Sequence, residues 1–271
     1  MLLVRDSWCV CASKTGWAIG PKTTTVKLSD HFEASGNWLF RWRSYLPLLL
    51  IGGSLASLRE FHYPGGSRAL DLAWEIVSSF LGFLGVGIRA YAVGCASYRT
   101  SGRNTREQVA DSLNTTGLYS IMRHPLYFAN TLMWFSVALF MESWSLAIII
   151  LLVSALYHER IIFAEEAFLE RKFGESFRNW AARTPAVWPR FSLWKSPNLP
   201  FEWRHALQRE YLGLFALITI YLAVDIASDW FCLHRLEFDP LWLSFWVLGL
   251  VMFAVVRFLR KRTRLLCVSG R

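Results

Sequence analysis

The chain has 271 residues, of which 54% are hydrophobic, with 14 Trp and 20 Phe, which is too apolar for an ordinary soluble domain of this size. Its net charge is +9. Because the Lys and Arg residues flank apolar runs, the charge argues for loops beside anionic lipid and against a nucleic-acid partner. The five Cys are scattered and odd in number, which argues against a disulfide framework. Cys9 and Cys11 have no second pair of Cys or His near them, so no metal site is expected there.

In chain order, residues 1–28 show no helical or strand period and are expected to form a disordered tail. Met1-Leu2-Leu3-Val4 is too short for a signal-peptide core. A helix is expected to begin at Ser29, with Ser29 as its cap and Asp30 and Glu33 in the first turn. Trp38, Phe40, Trp42 and Tyr45, interleaved with Arg41 and Arg43, make an aromatic and basic belt for a membrane interface. Residues 29–271 are read as one membrane domain.

Apolar segments follow at Ser44–Leu58 and Ala69–Ala96. The second contains Gly82, Gly85 and Gly87, which permit close helix approach. It also contains Glu75 and Arg89. Charges inside a span face a partner or a polar cavity, although Arg89 could equally snorkel to the surface. Tyr98–His124 is a polar, basic connection. The third segment, Tyr127–Met141, and the fourth, Trp144–Tyr157, are joined by a turn at Glu142-Ser143. Both are short enough to be either spans or a re-entrant hairpin. Good helix formers continue through His158 to Lys172, with Gly174 as the cap, so the fourth segment should run on as one long helix into the cytoplasm. Thr184–Pro200 is irregular, with Trp188, Phe191 and Trp194 suited to the headgroup region. The fifth and sixth segments are Tyr211–Ile226 and Pro240–Phe258.

The expected fold is therefore an all-α, polytopic membrane helix bundle of about five or six transmembrane segments, with one long helix projecting from it. All but four of the 29 Lys and Arg lie in the termini and in residues 98–125 and 157–210; the four are Arg59, Arg68, Arg89 and Arg235. That bias puts both termini and both polar loops in the cytoplasm, in the inner membrane if the cell is bacterial. Asn114-Thr115-Thr116 matches a glycosylation acceptor, but on that side it would go unused.

Two polar clusters stand out. One is Gly117-Leu118-Tyr119, followed after three residues by Arg123-His124-Pro125-Leu126-Tyr127. The other is His158-Glu159-Arg160 and then Glu165-Glu166. Each part alone has an ordinary explanation. Arg can snorkel, Pro suits the first turn of a helix, and a Glu pair can be a solvated helix face. Adjacent helical positions point about 100° apart, so at most one of the two carboxylates should face a common site.

The order and spacing of these parts, continued by Leu169, Phe173-Gly174 and Arg183-Thr184-Pro185, resemble the C-terminal catalytic region of the membrane-integral methyltransferases. That superfamily includes the isoprenylcysteine carboxyl methyltransferases and the phospholipid methyltransferases. The resemblance covers Leu113–Pro189, within a catalytic region taken as 111–190. It implies S-adenosyl-L-methionine bound between the entrance of the third segment and the far end of the fourth. The cofactor contacts carried over are Tyr119, His124, Pro125, Leu126, Tyr127 and Glu165, with Leu113 from the stretch Asp111–Asn114. From their chemistry, a phosphate or carboxylate acceptor would want Arg123, Arg160 or Arg89 nearby, whereas an amine would want a carboxylate, and Arg123 and Arg160 are the catalytic candidates.

The chain departs from the family pattern twice. Ala129 stands where Gly is frequent, and Ile161 stands where the isoprenylcysteine enzymes carry an Arg that orients the substrate carboxylate. The nearest Arg is Arg160, one helical step away, which disfavours a prenylcysteine substrate. Methyl transfer from a sulfonium is an in-line displacement that depends on positioning. Carboxylate, imidazole and phenol groups can hold the cofactor's polar ends. No Gly-x-Gly-x-x-Gly follows a strand, so a soluble dinucleotide-type fold is not expected.

The leading expectation is an S-adenosyl-L-methionine-dependent methyltransferase acting on a lipid or lipid-like acceptor. Two alternatives stay open: a nicotinamide-dependent reductase of sterol-reductase type, and a non-catalytic lipid-binding membrane protein. Neither a metal nor a nucleic acid is an expected partner.

Overall fold

The computed structural model describes residues 27–43, 45, 52, 68–97, 108–263 and 265–266. The expected tail and nearly all of the first apolar segment lie outside these residues. The described helices are α1 Leu28–Trp42, α2 Arg68–Gly94, α3 Leu118–Ile121, α4 Pro125–Phe140, α5 Trp144–Phe173, α6 Glu175–Ala181, α7 Trp203–Leu233 and α8 Pro240–Arg262. Four of them, α2, α5, α7 and α8, are long and apolar enough to cross a membrane, and α4 is apolar but shorter. The chain is an integral membrane protein built as a helix bundle.

The helix ends follow from local chemistry. α1 begins one residue earlier than Ser29, because Asp30 reaches back and its Oδ2 accepts from the Lys27 backbone N–H at 3.1 Å. α4 opens with Pro125 in its first turn, where the missing N–H costs nothing. The α4–α5 turn uses Glu142 at φ +54°. Ser143 then caps α5, its Oγ accepting from the Leu146 N–H at 3.3 Å. α5 runs unbroken for 30 residues to Gly174, which adopts φ +54°. At 1.5 Å per residue it is about 45 Å long, against a hydrocarbon core of roughly 30 Å. Its charged residues begin at Glu159, so the excess length is at the C-terminal end. α7 is longer than the expected fifth segment at both ends, because hydropathy marks only the apolar part of a helix that starts at Trp203.

Side by side, the helices run α1, α5, α4, α2, α7, α8, each in contact with its neighbour in that order. Lipid is as apolar as Leu, so close approach and polar contacts decide which helices touch. α2 meets α4 at Gly85, where an added Cβ would stand 2.8 Å from the Ala129 carbonyl oxygen and 2.8 Å from Met133 Cγ. The close approach that Gly at position 129 would give is thus supplied from the facing helix. α4 meets α7 and α8 through Phe140, Tyr221 and Trp242. These rings pack with centroids 4.8 Å (Phe140–Tyr221) and 5.0 Å (Phe140–Trp242) apart. The Ser136 and Tyr221 hydroxyls share a hydrogen bond of 2.7 Å. Glu75, the acid expected to need a partner inside the second span, accepts from Trp242 Nε1–H at 2.8 Å. On the far side α8 turns Leu248, Val251 and Val255 outward, as a lipid-facing helix does.

α1 does not cross. It packs along the projecting half of α5, close enough at Gly36 that an added Cβ would meet the Arg160 backbone and Ala164. Phe32 packs edge-on against Phe163, with centroids 5.7 Å apart, and Arg171 pairs with Glu33 at 2.7 Å. Trp38 and Trp42 remain exposed whereas Phe40 is buried, so only part of the expected aromatic belt faces outward.

Candidate active site

The loop that enters α4 is shaped by a partner strand of chain. Gly117, at φ +62° in a region that favours glycine, donates its N–H to the Lys195 carbonyl at 2.9 Å. Ser120 is buried. Its Oγ donates to the Gly117 carbonyl at 2.7 Å and accepts from the Lys195 N–H at 3.0 Å. Farther along, Arg190 N–H donates to the Ile121 carbonyl, Arg123 N–H to the Pro185 carbonyl and His124 N–H to the Ala186 carbonyl, at 2.9–3.0 Å. Trp180 Nε1–H adds a bond to the Tyr119 carbonyl at 3.1 Å. The irregular 184–200 segment, expected to lie in the headgroups, is therefore also the brace of the motif loop. Its Trp188 and Phe191 still face outward.

From this braced loop Arg123 and His124 reach α5. Arg123 Nε donates to Glu166 Oε1 at 2.8 Å, and Nη1 donates to the Ala181 and Thr184 carbonyls, both at 2.7 Å. His124 Nε2 meets the same Glu166 oxygen at 2.9 Å. Glu166 is thereby fastened to the loop. The helical step of about 100° turns Glu165 the other way, into a cavity of about 580 Å³. That is within the usual range for a small-molecule site.

Of the residues expected at the site, Leu113, Tyr119, Arg123, His124, Pro125, Leu126, Tyr127 and Glu165 line this cavity. Arg160 does not. Its guanidinium lies over the Phe32 ring, 3.5 Å from the centroid, as a cation–π contact holding α1 to α5. Arg123 borders the cavity, but its donors are occupied by Glu166 and two carbonyls. Ile161, one step from Arg160, is a fully buried part of the cavity wall.

Three polar atoms facing this space are buried and make no hydrogen bond: Glu165 Oε2, Tyr157 Oη and His158 Nε2. Glu165 Oε2 stands 3.7 Å from His124 Nδ1, beyond hydrogen-bond reach. Buried polar atoms without partners are rare in folded chains, and a group of them in one cavity marks a place for a ligand. Aromatic rings surround the inner part. The Tyr127 and Trp134 rings lie 5.1 and 5.2 Å from the His158 ring. On the opposite wall Arg89 makes a forked pair with Glu210, at 2.8 and 3.0 Å, and donates to Asn130 Oδ1 at 2.6 Å. Arg89 thus faces the cavity in an ion pair rather than snorkelling to the surface. Burial, reinforced by the nearby Glu165 carboxylate, pushes the Tyr119 phenol well above its ordinary value, so it enters the site as a neutral hydroxyl.

The sequence reading missed the fastening role of Glu166 and the presence of Tyr157, Asn130 and Glu210 in the site, and it placed His158 in the second polar cluster without giving it a role. The polar start of the α5 extension was a signal for His158. Nothing in the local sequence linked Arg89 to a carboxylate on α7.

A family model described as phospholipid methyltransferase matches residues 77–176, which contain both polar clusters. The nickel-cobalt-cadmium resistance protein NccN of Alcaligenes xylosoxydans xylosoxydans is 41% identical over 154 residues, covering 54% of this chain and 68% of that protein. The cobalt-zinc-cadmium resistance protein CzcN of Cupriavidus metallidurans is 36% identical over 175 residues, covering 53% of this chain and 78% of that protein. No solved structure matches the chain.

Proposed function

The chain belongs to the phospholipid methyltransferase family, within the isoprenylcysteine/phospholipid methyltransferase superfamily, and from that premise we propose that it transfers a methyl group from S-adenosyl-L-methionine to a lipid-like acceptor. The observation that carries this reading is the unpartnered carboxylate oxygen of Glu165, buried beside His124 in a cavity large enough for the cofactor. The donor set fits. The cofactor offers an ammonium and ribose hydroxyls, which Glu165 can accept from, and an adenine ring, which Tyr119 and Tyr127 can flank.

When bound, the cofactor supplies an electrophilic methyl on a sulfonium. The chain's part is orientation. The Glu166 contacts hold His124 and the motif loop, Glu165 receives donors, and the walls of Leu113, Pro125 and Leu126 exclude water. Such positioning contributes much of the rate of a two-substrate transfer. The acceptor enters sideways from the lipid, where α4 and α5 leave the inner half of the cavity ringed by aromatic groups. The Lys and Arg bias supports an orientation with the cavity and both termini at the cytoplasmic face. The relatives' names point to metal stress as the setting in which this methylation operates.

Labelled S-adenosyl-L-methionine, bound to purified protein in detergent, tests the proposal. Wild type should bind, and Glu165→Ala and His124→Ala should bind far less. Full binding in both variants defeats the site assignment. Lipid extracts from cells with and without the protein, grown with and without cobalt, should differ by species one methyl group apart.

A further inference from the structure

His158 is buried, at 5% exposure, and borders the same cavity, but it is not among the groups that hold the motif loop. Its Nδ1 lies 3.1 Å from Thr131 Oγ1, and that hydroxyl also lies 3.1 Å from the Tyr127 carbonyl of its own helix. A carbonyl can only accept, so the threonine proton goes to it. The hydroxyl oxygen is then left to accept, and the arrangement that satisfies both contacts has Nδ1 carrying the imidazole proton. Nε2 is then a bare lone pair, and it is one of the buried atoms without a partner. The ring is held face-on to Trp134, with an interplanar angle of 22°, and is flanked by Tyr127 and Tyr157, so it cannot swing away.

His158 precedes Glu165 by seven residues on one helix, about 10 Å toward the membrane-embedded end of α5. The carboxylate therefore sits at the loop end of the cavity and the imidazole at the end nearest lipid. The ionisable groups that line the cavity with the imidazole are Arg43 beyond α1, Arg89 on α2, Tyr119, Arg123, His124 and Tyr127 at the entrance of α4, Tyr157 and Glu165 on α5, and Arg209 and Glu210 on α7.

We propose that His158 Nε2 is the base that takes the proton of the methyl acceptor, and that the acceptor is a protic group, namely an amine, hydroxyl or thiol, and not a carboxylate. This rests on the methyltransferase reading above. In the step, the acceptor atom bonds to the donor's methyl carbon while the carbon–sulfur bond breaks, its electron pair staying on sulfur. The proton on the acceptor moves to Nε2, and the imidazolium afterwards releases it to water. A carboxylate acceptor carries no such proton and would need a cation beside it. The position that supplies one in the isoprenylcysteine enzymes is Ile161 here, and the cavity's own cations are engaged: Arg123 by Glu166 and two carbonyls, Arg89 by Glu210, Arg43 over the Phe40 ring and Arg209 by contacts of its own, while Arg160 lies outside the cavity over Phe32.

Two measurements on the full chain in detergent test this. In protein labelled with ¹⁵N-histidine, the His158 resonances, assigned by their loss in His158→Phe, should show a protonated Nδ1 and an unprotonated Nε2. In parallel, decylamine, decanethiol and decanoate serve as acceptor probes with labelled S-adenosyl-L-methionine. Methylation should appear on the amine or thiol. His158→Phe, which keeps a ring against Trp134, should lower it by about 10²–10⁴-fold while donor binding persists. A protonated Nε2, preferential methylation of decanoate, or an undiminished rate in His158→Phe overturns the proposal, and where no probe is turned over the nitrogen spectrum decides. Absence of donor binding in wild type would sink the methyltransferase reading instead and leave the spectrum unchanged.

Discussion

His124 Nε2 and Glu166 Oε1 meet at 2.9 Å across 42 residues of sequence, and this contact aims the neighbouring carboxylate. With Glu166 held by His124 and Arg123, Glu165 has one direction left, toward the cavity. The two acids of the pair divide into one that fastens the loop and one that opens into the cavity, the proposed ligand group.

The fastener should matter for stability. Glu166→Ala leaves the Arg123 guanidinium and the His124 imidazole without their shared acceptor, and charge-assisted bonds of this kind contribute about 1.5–3 kcal/mol each. The expected outcome is a clear fall in the unfolding midpoint in detergent, with weaker donor binding as a consequence. An unchanged midpoint would show that the loop is held without Glu166.

The ligand group should behave in the opposite way. Glu165 Oε2 makes no hydrogen bond within the protein and stands 3.7 Å from His124 Nδ1, so Glu165→Gln should shift the unfolding midpoint of the free protein far less than Glu166→Ala does. Removing a charged acceptor from a ligand donor costs about 1.5–3 kcal/mol, about a ten- to hundred-fold loss of S-adenosyl-L-methionine affinity. Equilibrium binding of the labelled compound, measured beside thermal unfolding, separates the two glutamates.

Arg89 and Glu210 should be coupled. Their side chains are 20% and 8% exposed, and breaking such a pair from one side costs on the order of 3–5 kcal/mol because a buried charge is stranded. Arg89→Leu and Glu210→Leu should each destabilise strongly, and the double variant should be less damaged than the sum of the two. Additive single effects in a double-mutant cycle would remove the pair from the account of α2–α7 packing.

The α4–α5 turn should carry a pH dependence. Burial, with a smaller contribution from Asp71, raises the Glu142 carboxyl from 4.5 to about 7. A carboxyl raised on folding binds its proton more tightly in the folded state. Its favourable contribution is present below pH 4.5 and is lost as pH rises through about 7. Glu142→Gln should therefore flatten the fall in the unfolding midpoint between those values and be the more stable protein at pH 8. An equal fall in the variant would assign the dependence to another group.

Much of the fold was legible in the sequence. Apolar length marked α2, α4, α5, α7 and α8, and Pro125 and Gly174 marked where two of them begin and end, because each signal is local. Helix period and backbone conformation need only a few neighbouring residues to be decided. The same locality limited the readings that failed. Ser29 looked like a cap until Asp30 reached back to Lys27, and the start of α7 was invisible because Arg204, His205, Gln208, Arg209 and Glu210 interrupt its apolar signal.

The sequence by itself determined that this is a helical membrane protein and which two stretches carry its polar chemistry, since composition and spacing are properties of the chain alone. Only the tertiary structure decided which of Glu165 and Glu166 opens into the cavity and that Arg160 braces α1. It also decided that Arg89 is matched by Glu210, and that His158 is left with a bare nitrogen. Each of those outcomes depends on a partner brought from another helix or a distant loop, and no local period in a sequence records where such a partner will come to rest.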